Sequence, residues 1–510
     1  MSDSTYAFIT HLMKGTIKSS DFLTFTVNHA EEAQGTPGNA KHRLRQMTIQ
    51  SPIINFCRYK VSRLGYPGLP WVGSAPNGKI LFIRDKTLTG LDASRAGIGG
   101  LAAALALGKR GHDVHIIEFA PDIQEVGAGI QCAPNMLRIL DRLGAGAKVR
   151  RTGVALGAIH ILRWQGGSLL GSVPINQSHG EQFVVHRADL QMALLEKAMA
   201  LPNVRLQTNT KVENVQFSPA AVELNDGSTV YGDVVLAADG IKSMVRAKIL
   251  GDDKDVAIPT GDAVFRVVLT KETLSNYPEL MPYIEEKKAI RWIGPGRHII
   301  AYPVRNHEIY NMALAHPDRG RVDESWTTVT SKKNLLSEYE GWDPNLIKML
   351  DLVPEGDVLE WKLCMHMPLL RWVRGSCALL GDACHPMLPY VAQGAAQAVE
   401  DAASLGVVLS SISSKDEIPA ALLAYEKAQK ARAEHIQQSC LTTRAALHLP
   451  DGPEQQARDQ KFKVLSSGGS NDDKWGDPEM QKFLWSWDAE AKAEEAWKDM
   501  SHESRTQSRL

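Results

Sequence analysis

Hydrophobic and polar positions change texture at Gly97. Beyond it, "GLAAALALGKRG" is a run of strong helix formers ending at Gly111, and "DVHIIE" follows as a short strand closed by Glu118. Glycine turn, helix and strand make half of a doubly wound nucleotide-binding unit. Between 151 and 175, "ALGAIHILRW" and "SLLGSVP" read as two strands around "QGG". "RADLQMALLEKAMA" predicts a helix with Leu190, Leu194 and Leu195 on one side. From 210 to 240, short strands turn at "SPA" and "NDG", and from 261 to 316 come "AVFRVVL", "AIRWIG", "RHIIAYPV" and "IYNMALA", turning at "GPG" and "RNHE". Regular strands with tight turns predict an antiparallel sheet. Residues 377–412 return to strand, loop and helix, and the tail from about 415 is helical and polar, with a Trp-rich stretch "KWGDPEMQKFLWSWDAEAKAEEAW". Residues 1–90 show no period beyond one strand-like piece, "KILFI" at 79–83, and read as an unassigned N-terminal extension.

Composition excludes more than it selects. In 510 residues, apolar residues make up 44% and the formal net charge is −1, which gives no basic footprint for nucleic acid. The six cysteines are scattered without a C-x-x-C pair, as in a reducing compartment. The N-terminus lacks the basic start and apolar core of a signal peptide, and no run approaches a membrane span. The expectation is a soluble, cytoplasmic protein.

The chemistry-bearing segments begin with a damaged fingerprint. Gly97 and Gly100 occupy the second and third glycine positions of Gly-x-Gly-x-x-Gly, but Arg95 stands at the first and "TGLDAS" makes a poor strand before it. Gly97 would let backbone approach a pyrophosphate, Gly100 would bring the helix close to the sheet, and the helix N-terminus would offer N–H groups to phosphate. Glu118, eighteen residues after Gly100, stands where an acid accepts hydrogen bonds from an adenosine ribose; as a lone residue it is a solvated strand end. "VGAGIQCAPN" reads as a loop, because no apolar strand precedes it and Pro134 interrupts it. Two later segments repeat the strand–turn–helix pattern: "DVVLAADGIKSMVR" with Asp239 and Gly240, and "LLGDACHPMLPYVAQGAAQAVEDAASL" with Asp382 and a helix opening at Gly394-Ala395. Singly, each Asp-Gly or Gly-Asp is a plain turn. His385 has no second ligand at metal spacing, so no metal is expected.

Together and in this order, these segments resemble the FAD-dependent aromatic-ring hydroxylases, single-component flavoprotein monooxygenases of salicylate hydroxylase-like texture. The resemblance covers about 96–445 and includes "AGIGGLAAAL", "VVHRADLQ", "TGDAVFR" and "GPGRHIIAYPV". It implies an α/β fold: a Rossmann-like FAD-binding domain built from 91–150, 180–260 and 370–412, an inserted, mainly antiparallel β-sheet substrate domain (151–179 and 261–369), and a helical C-terminal region (413–510). It implies FAD held by Gly97, Gly99, Gly100, Glu118, Gly129, Arg187, Asp239, Gly240, Asp382, Gly394 and Ala395. Arg187 would lie along the FAD, Asp382 on the ribityl chain, and the Asp239–Gly240 segment would serve both FAD and NAD(P)H.

The activity implied is hydroxylation of a phenolic or aromatic-acid substrate, with NAD(P)H and O2 as co-substrates, through a flavin C4a-hydroperoxide. Arg266 and Tyr302, placed on adjacent strands by the pattern, match the arginine and tyrosine that hold a phenolic substrate in relatives; their plainer readings are a surface ion pair and a core aromatic. His298 is a proton-transfer candidate. Phe265 stands where many relatives have Tyr. Three alternatives stand beside this one. A related epoxidase or kynurenine-type hydroxylase shares the flavin cycle. A non-catalytic descendant would have lost FAD through Arg95 and the missing strand. A changed exon boundary would explain why the match begins only at Ala96.

Overall fold

The computed structural model describes residues 79–84, 97–121, 128–175, 177–251, 257–320, 327–463 and 473–507, all within the unit Ser74–Leu510. Arg95 lies outside the described residues.

Short apolar runs such as Val234–Ala237 and Cys377–Leu379 are buried along their whole length, as expected of parallel strands covered on both faces. They belong to a six-stranded sheet in the order Val373–Arg374, Cys377–Leu379, Val234–Ala237, Lys79–Arg84, Asp113–Glu118, Val204–Gln207. All its pairs are parallel except the edge strand Val373–Arg374. The strand expected to be missing is therefore present. Lys79–Arg84 fills the centre, with Ile80 in register with Val234 on one side and Val114 on the other. This corrects the boundary drawn at residue 90. The sequence shows this strand as the piece "KILFI", but residues 85–96 separate it from the glycine turn, so its place beside that turn was not legible.

Helix α1 (Ile98–Lys109) lies buried through almost every position from Ile98 to Gly108. Its alanines and glycines allow this, since it packs against the sheet and against a second small-residue helix, Gly394–Ser410. At Gly99 a Cβ would stand 3.1 Å from Ala398 Cβ and 3.1 Å from Leu380 Cδ1, so a larger residue would press the close helix crossing apart by a few tenths of an ångström.

The inserted sheet has eight strands, ordered Thr327–Val329, Leu359–Met365, Ile258–Thr270, Ile309–Pro317, Arg297–Val304, Lys288–Gly294, Ala158–Arg163, Leu169–Pro174. It is antiparallel except where Lys288–Gly294 meets Ala158–Arg163. Arg266 and Tyr302 are not on adjacent strands. The hairpin at Arg305–Glu308 folds Ile309–Pro317 back between them, so that Arg266 pairs with Ala313, Ala313 with Ile300, and Asn311 with Tyr302. The stretch read as a loop also changes. Gly129–Cys132 is a strand antiparallel to Phe183–His186, and Pro134 begins helix α2 (Pro134–Leu143) at its first position, where its missing N–H costs nothing.

The C-terminal helices are part of the cores. Ala489, Ala493 and Ala496 of Ala489–Gln507 pack into the core beneath the parallel sheet, while Trp475 and Trp485, 2% and 1% exposed, pack into a second core with Ile159, Ile161 and Val304 of the inserted sheet. Among the described residues, no helix is long and apolar enough to cross a membrane.

Candidate active site

A cavity of about 420 Å³ opens where the carboxyl ends of the parallel strands meet one face of the inserted sheet. Crevices at this edge are where open α/β sheets bind ligands. Gly97, Gly99 and Gly100 line it from α1, Asp239, Gly240 and Lys242 from the turn after Val234–Ala237, and Gly381 and Asp382 from the turn after Cys377–Leu379. Gly129, Arg187, Gly394 and Ala395 close its sides. From the sheet come Arg266, Ile300, Tyr302, Asn311 and Ala313.

Two helices point their N-termini into this space. α1 begins at Ile98, and helix α3, Gly394–Ser410, begins at Gly394. Neither has a side-chain cap or an acidic residue in its first turn, so the partial positive charge and free N–H groups at each start are available to an anion. A Cβ at Gly394 would meet nothing within 4 Å; its absence leaves the helix start open to a ring laid across it. Gly100 does for the sheet what Gly99 does for the helix: a Cβ there would sit 3.4 Å from Ala238 Cβ.

The two acidic turns are held together from behind. Arg246, almost fully buried, donates to Ala383 O at 3.2 Å and Ile241 O at 2.7 Å, bridging the Asp239 turn and the Asp382 turn. Asp401, one residue past the second turn of α3, accepts the Gly381 N–H at 2.8 Å, and His385 Nε2 lies 2.6 Å from the same carboxylate oxygen. Burial alone would depress His385, but the Asp401 carboxylate outweighs it and raises its pKa well above the usual range. Burial raises the Cys384 thiol to about 11. Asp239 is buried, and this raises its carboxyl above the ordinary value. Its Oδ1 meets no hydrogen-bond donor among the described residues.

On the sheet side, the Arg266 guanidinium stacks over Trp361 at 4.9 Å, half-buried. Burial holds the Tyr302 hydroxyl neutral well past its usual pKa, against the pull of Arg266. Two expected residues stand apart from the cavity lining. Glu118 ends its strand buried, with its carboxylate accepting the Ala120 N–H at 2.9 Å. His298 pairs with His448, Nδ1 to Nε2 at 2.8 Å, and burial, then the charge of Arg291, hold it well below the usual histidine range. Its Nδ1 is engaged by His448, and it lies outside the cavity wall. Phe265 is fully buried and stacked on His316 at 4.0 Å, so it faces away from this chemistry. Sequence reading missed Gln131, Lys242 and Asn311. For Gln131 and Asn311 the available signal was a polar residue inside an apolar strand, clearest in "IYNMALA"; Lys242 sits in a turn and had no such signal.

Residues 96–439 match the FAD binding domain family. An FAD-dependent monooxygenase, atnJ of Arthrinium sp, is 41% identical over 78% of this chain and 94% of its own. The chain belongs to the FAD-dependent monooxygenases. This monooxygenase is also 35% identical to 3-hydroxybenzoate 6-hydroxylase of Polaromonas naphthalenivorans, over 67% of this chain and 83% of that one. Its fold matches a salicylate hydroxylase substrate complex with a TM-score of 0.67 at 22% identity, covering 82% of this chain and 98% of the other.

The residues of the monooxygenase fit FAD. Two uncapped helix N-termini suit a pyrophosphate and the electron-rich edge of a flavin, and the orphaned Asp239 Oδ1 awaits a donor. The glycines at 97, 99, 100 and 394 leave backbone bare along the path between them.

Proposed function

We propose that this monooxygenase hydroxylates a phenolic or aromatic-acid substrate in the cavity described, consuming NAD(P)H and O2. Gly97, Gly99, Gly100, Glu118, Gly129, Arg187, Asp239, Gly240, Asp382, Gly394 and Ala395 are the residues assigned to hold FAD. When bound, FAD supplies the oxidation of NAD(P)H and the activation of O2 for transfer of one oxygen atom to the ring. The observation that carries the reading is the pairing, on one cavity wall opposite the two helix N-termini, of the Arg266 cation with the neutral Tyr302 hydroxyl. A cation beside the substrate oxygen favours phenolate over phenol, and the phenolate ring is the better nucleophile towards an electrophilic oxygen. Tyr302 donates its O–H to that oxygen and orients it. The apolar neighbours Ile300, Ala313 and Met387 exclude water, which strengthens both contacts. The name of the Polaromonas relative, a hydroxybenzoate hydroxylase, supports the same substrate class.

The test is NAD(P)H oxidation by the flavin-loaded protein across a panel of phenols and hydroxybenzoates. Stimulation by at least one, with hydroxylated product, is expected. Arg266→Ala should lower kcat/KM for that substrate by about ten- to a hundred-fold, the worth of a charged hydrogen bond. Unchanged turnover in that variant contradicts the role given to Arg266, and a flavin-loaded protein indifferent to every phenol contradicts the reading itself.

A further inference from the structure

Asn311 is a polar residue in an otherwise apolar stretch of strand, between Tyr310 and Met312, which are wholly buried. It is itself 2% exposed, lines the cavity, and faces Tyr302 across the strand pair. Burying a carboxamide is costly unless its atoms are engaged. One atom is engaged: the Gly129 N–H donates to Asn311 Oδ1 at 2.6 Å. An N–H accepts nothing, so this contact fixes which end of the amide is oxygen. Nδ2 is left at the cavity with no hydrogen-bond partner among the described residues.

The position is built for this. A Cβ on Gly129 would lie 2.4 Å from Tyr302 Cε2 and 2.7 Å from Asn311 Cγ and Nδ2, so only glycine admits both side chains. The polar side chains that the inserted sheet contributes to the cavity are Arg266, Tyr302 and Asn311, and each presents a donor. The carboxylates Asp239 and Asp382 come from the opposite, parallel-sheet side. A wall on which each polar side chain presents a donor, without an acidic group, matches a ligand rich in oxygen acceptors.

We propose that Asn311 is a specificity-determining residue. Its Nδ2 donates to a second oxygen acceptor of the substrate, a carboxylate or carbonyl, beside the phenolic oxygen attended by Arg266 and Tyr302. The inference rests on the aromatic-hydroxylase reading above and narrows it to rings that carry two oxygen functions.

Asn311→Asp tests it with almost no change of shape. The carboxylate still accepts the Gly129 N–H, but the donor into the cavity becomes an acceptor. Asn311→Ser removes the donor without adding charge and serves should the aspartate variant not fold. A flavin-to-protein ratio equal to the parent's identifies a folded variant. KM is measured for the hydroxybenzoate isomer that the parent uses best and for phenol, which lacks the second acceptor. The expected result in either variant is a rise of about ten-fold or more in KM for the hydroxybenzoate and less than about three-fold for phenol. Equal rises for both, or no rise for the hydroxybenzoate, overturns the assignment of Asn311 while leaving parent turnover intact. A parent enzyme that no phenol stimulates overturns the hydroxylase reading, and this inference with it.

Discussion

Single residues in this site act chiefly by what they lack. Gly99 has no Cβ between Ala398 and Leu380, which lets α1 and α3 cross without strain at that distance. Gly99→Ala should cost about 1–3 kcal/mol by overpacking. Because the cost falls where both flavin-facing helices begin, weakened FAD retention should accompany it. A thermal melt of the flavin-loaded variant, unchanged from the parent's, would contradict the steric account. At this scale the sequence was informative where chemistry is carried by a motif. Arg266, Tyr302, Asp239 and Asp382 were all legible, and the structure gathers them around one cavity. His298 was legible as a histidine but not as half of a His–His pair, since His448 is distant in the chain. Asn311 stood out only as a polar residue in an apolar strand; its role was not legible, because it depends on Gly129 arriving from another sheet.

At the scale of elements, α3 is the member that everything else supports. Glu400, fully buried on it, takes a bidentate contact from Arg432 of helix α4 (Ile418–Leu447) at 2.7 and 2.9 Å. Asn135 of α2 donates to Glu400 at 2.6 Å and to Gln393, the residue before α3, at 3.0 Å. Arg432 also donates to the carbonyls of Phe483 and Leu484, which fixes the Trp-rich segment against the same helix. Arg432→Met would leave the Glu400 charge buried without its cation and should destabilise the protein by about 3–5 kcal/mol. Adding Glu400→Met should recover a large part of this. Denaturant midpoints for the two variants decide it, and a single variant no less stable than the double would contradict the argument. Helix and strand positions were largely legible from period alone. Sheet order was not, because a hairpin can place its return strand on either side. The tail was legible as helical and polar, but its part in the cores was not, because its buried alanines and tryptophans are spaced among many charges.

For the whole molecule, buried histidines set the response to acid. Burial lowers His112 and His448 to about 4, and His298 falls well below its usual value. Each is neutral in the fold but takes a proton near pH 6.5 once unfolded. Their stabilisation is complete above about pH 6.5 and is lost as pH falls towards about 4. His385, raised by Asp401, works in the opposite sense: its contribution is full below about pH 6.5 and fades as pH climbs through its folded value. The melting temperature should therefore drop steeply between about pH 6.5 and 4.5. A flat profile over that interval would contradict the neutral state assigned to the three histidines.

The central place of Lys79–Arg84 also sets a schedule for synthesis. The strand meets its first neighbour as soon as Asp113–Glu118 is made, but its other flank stays bare until Val234–Ala237 emerges. That strand in turn waits for Cys377–Leu379. At usual elongation rates the first wait alone is on the order of ten seconds. Throughout it, the nascent chain carries an open sheet edge in the middle of what will become its cofactor domain, the state in which such chains are most prone to pair with one another.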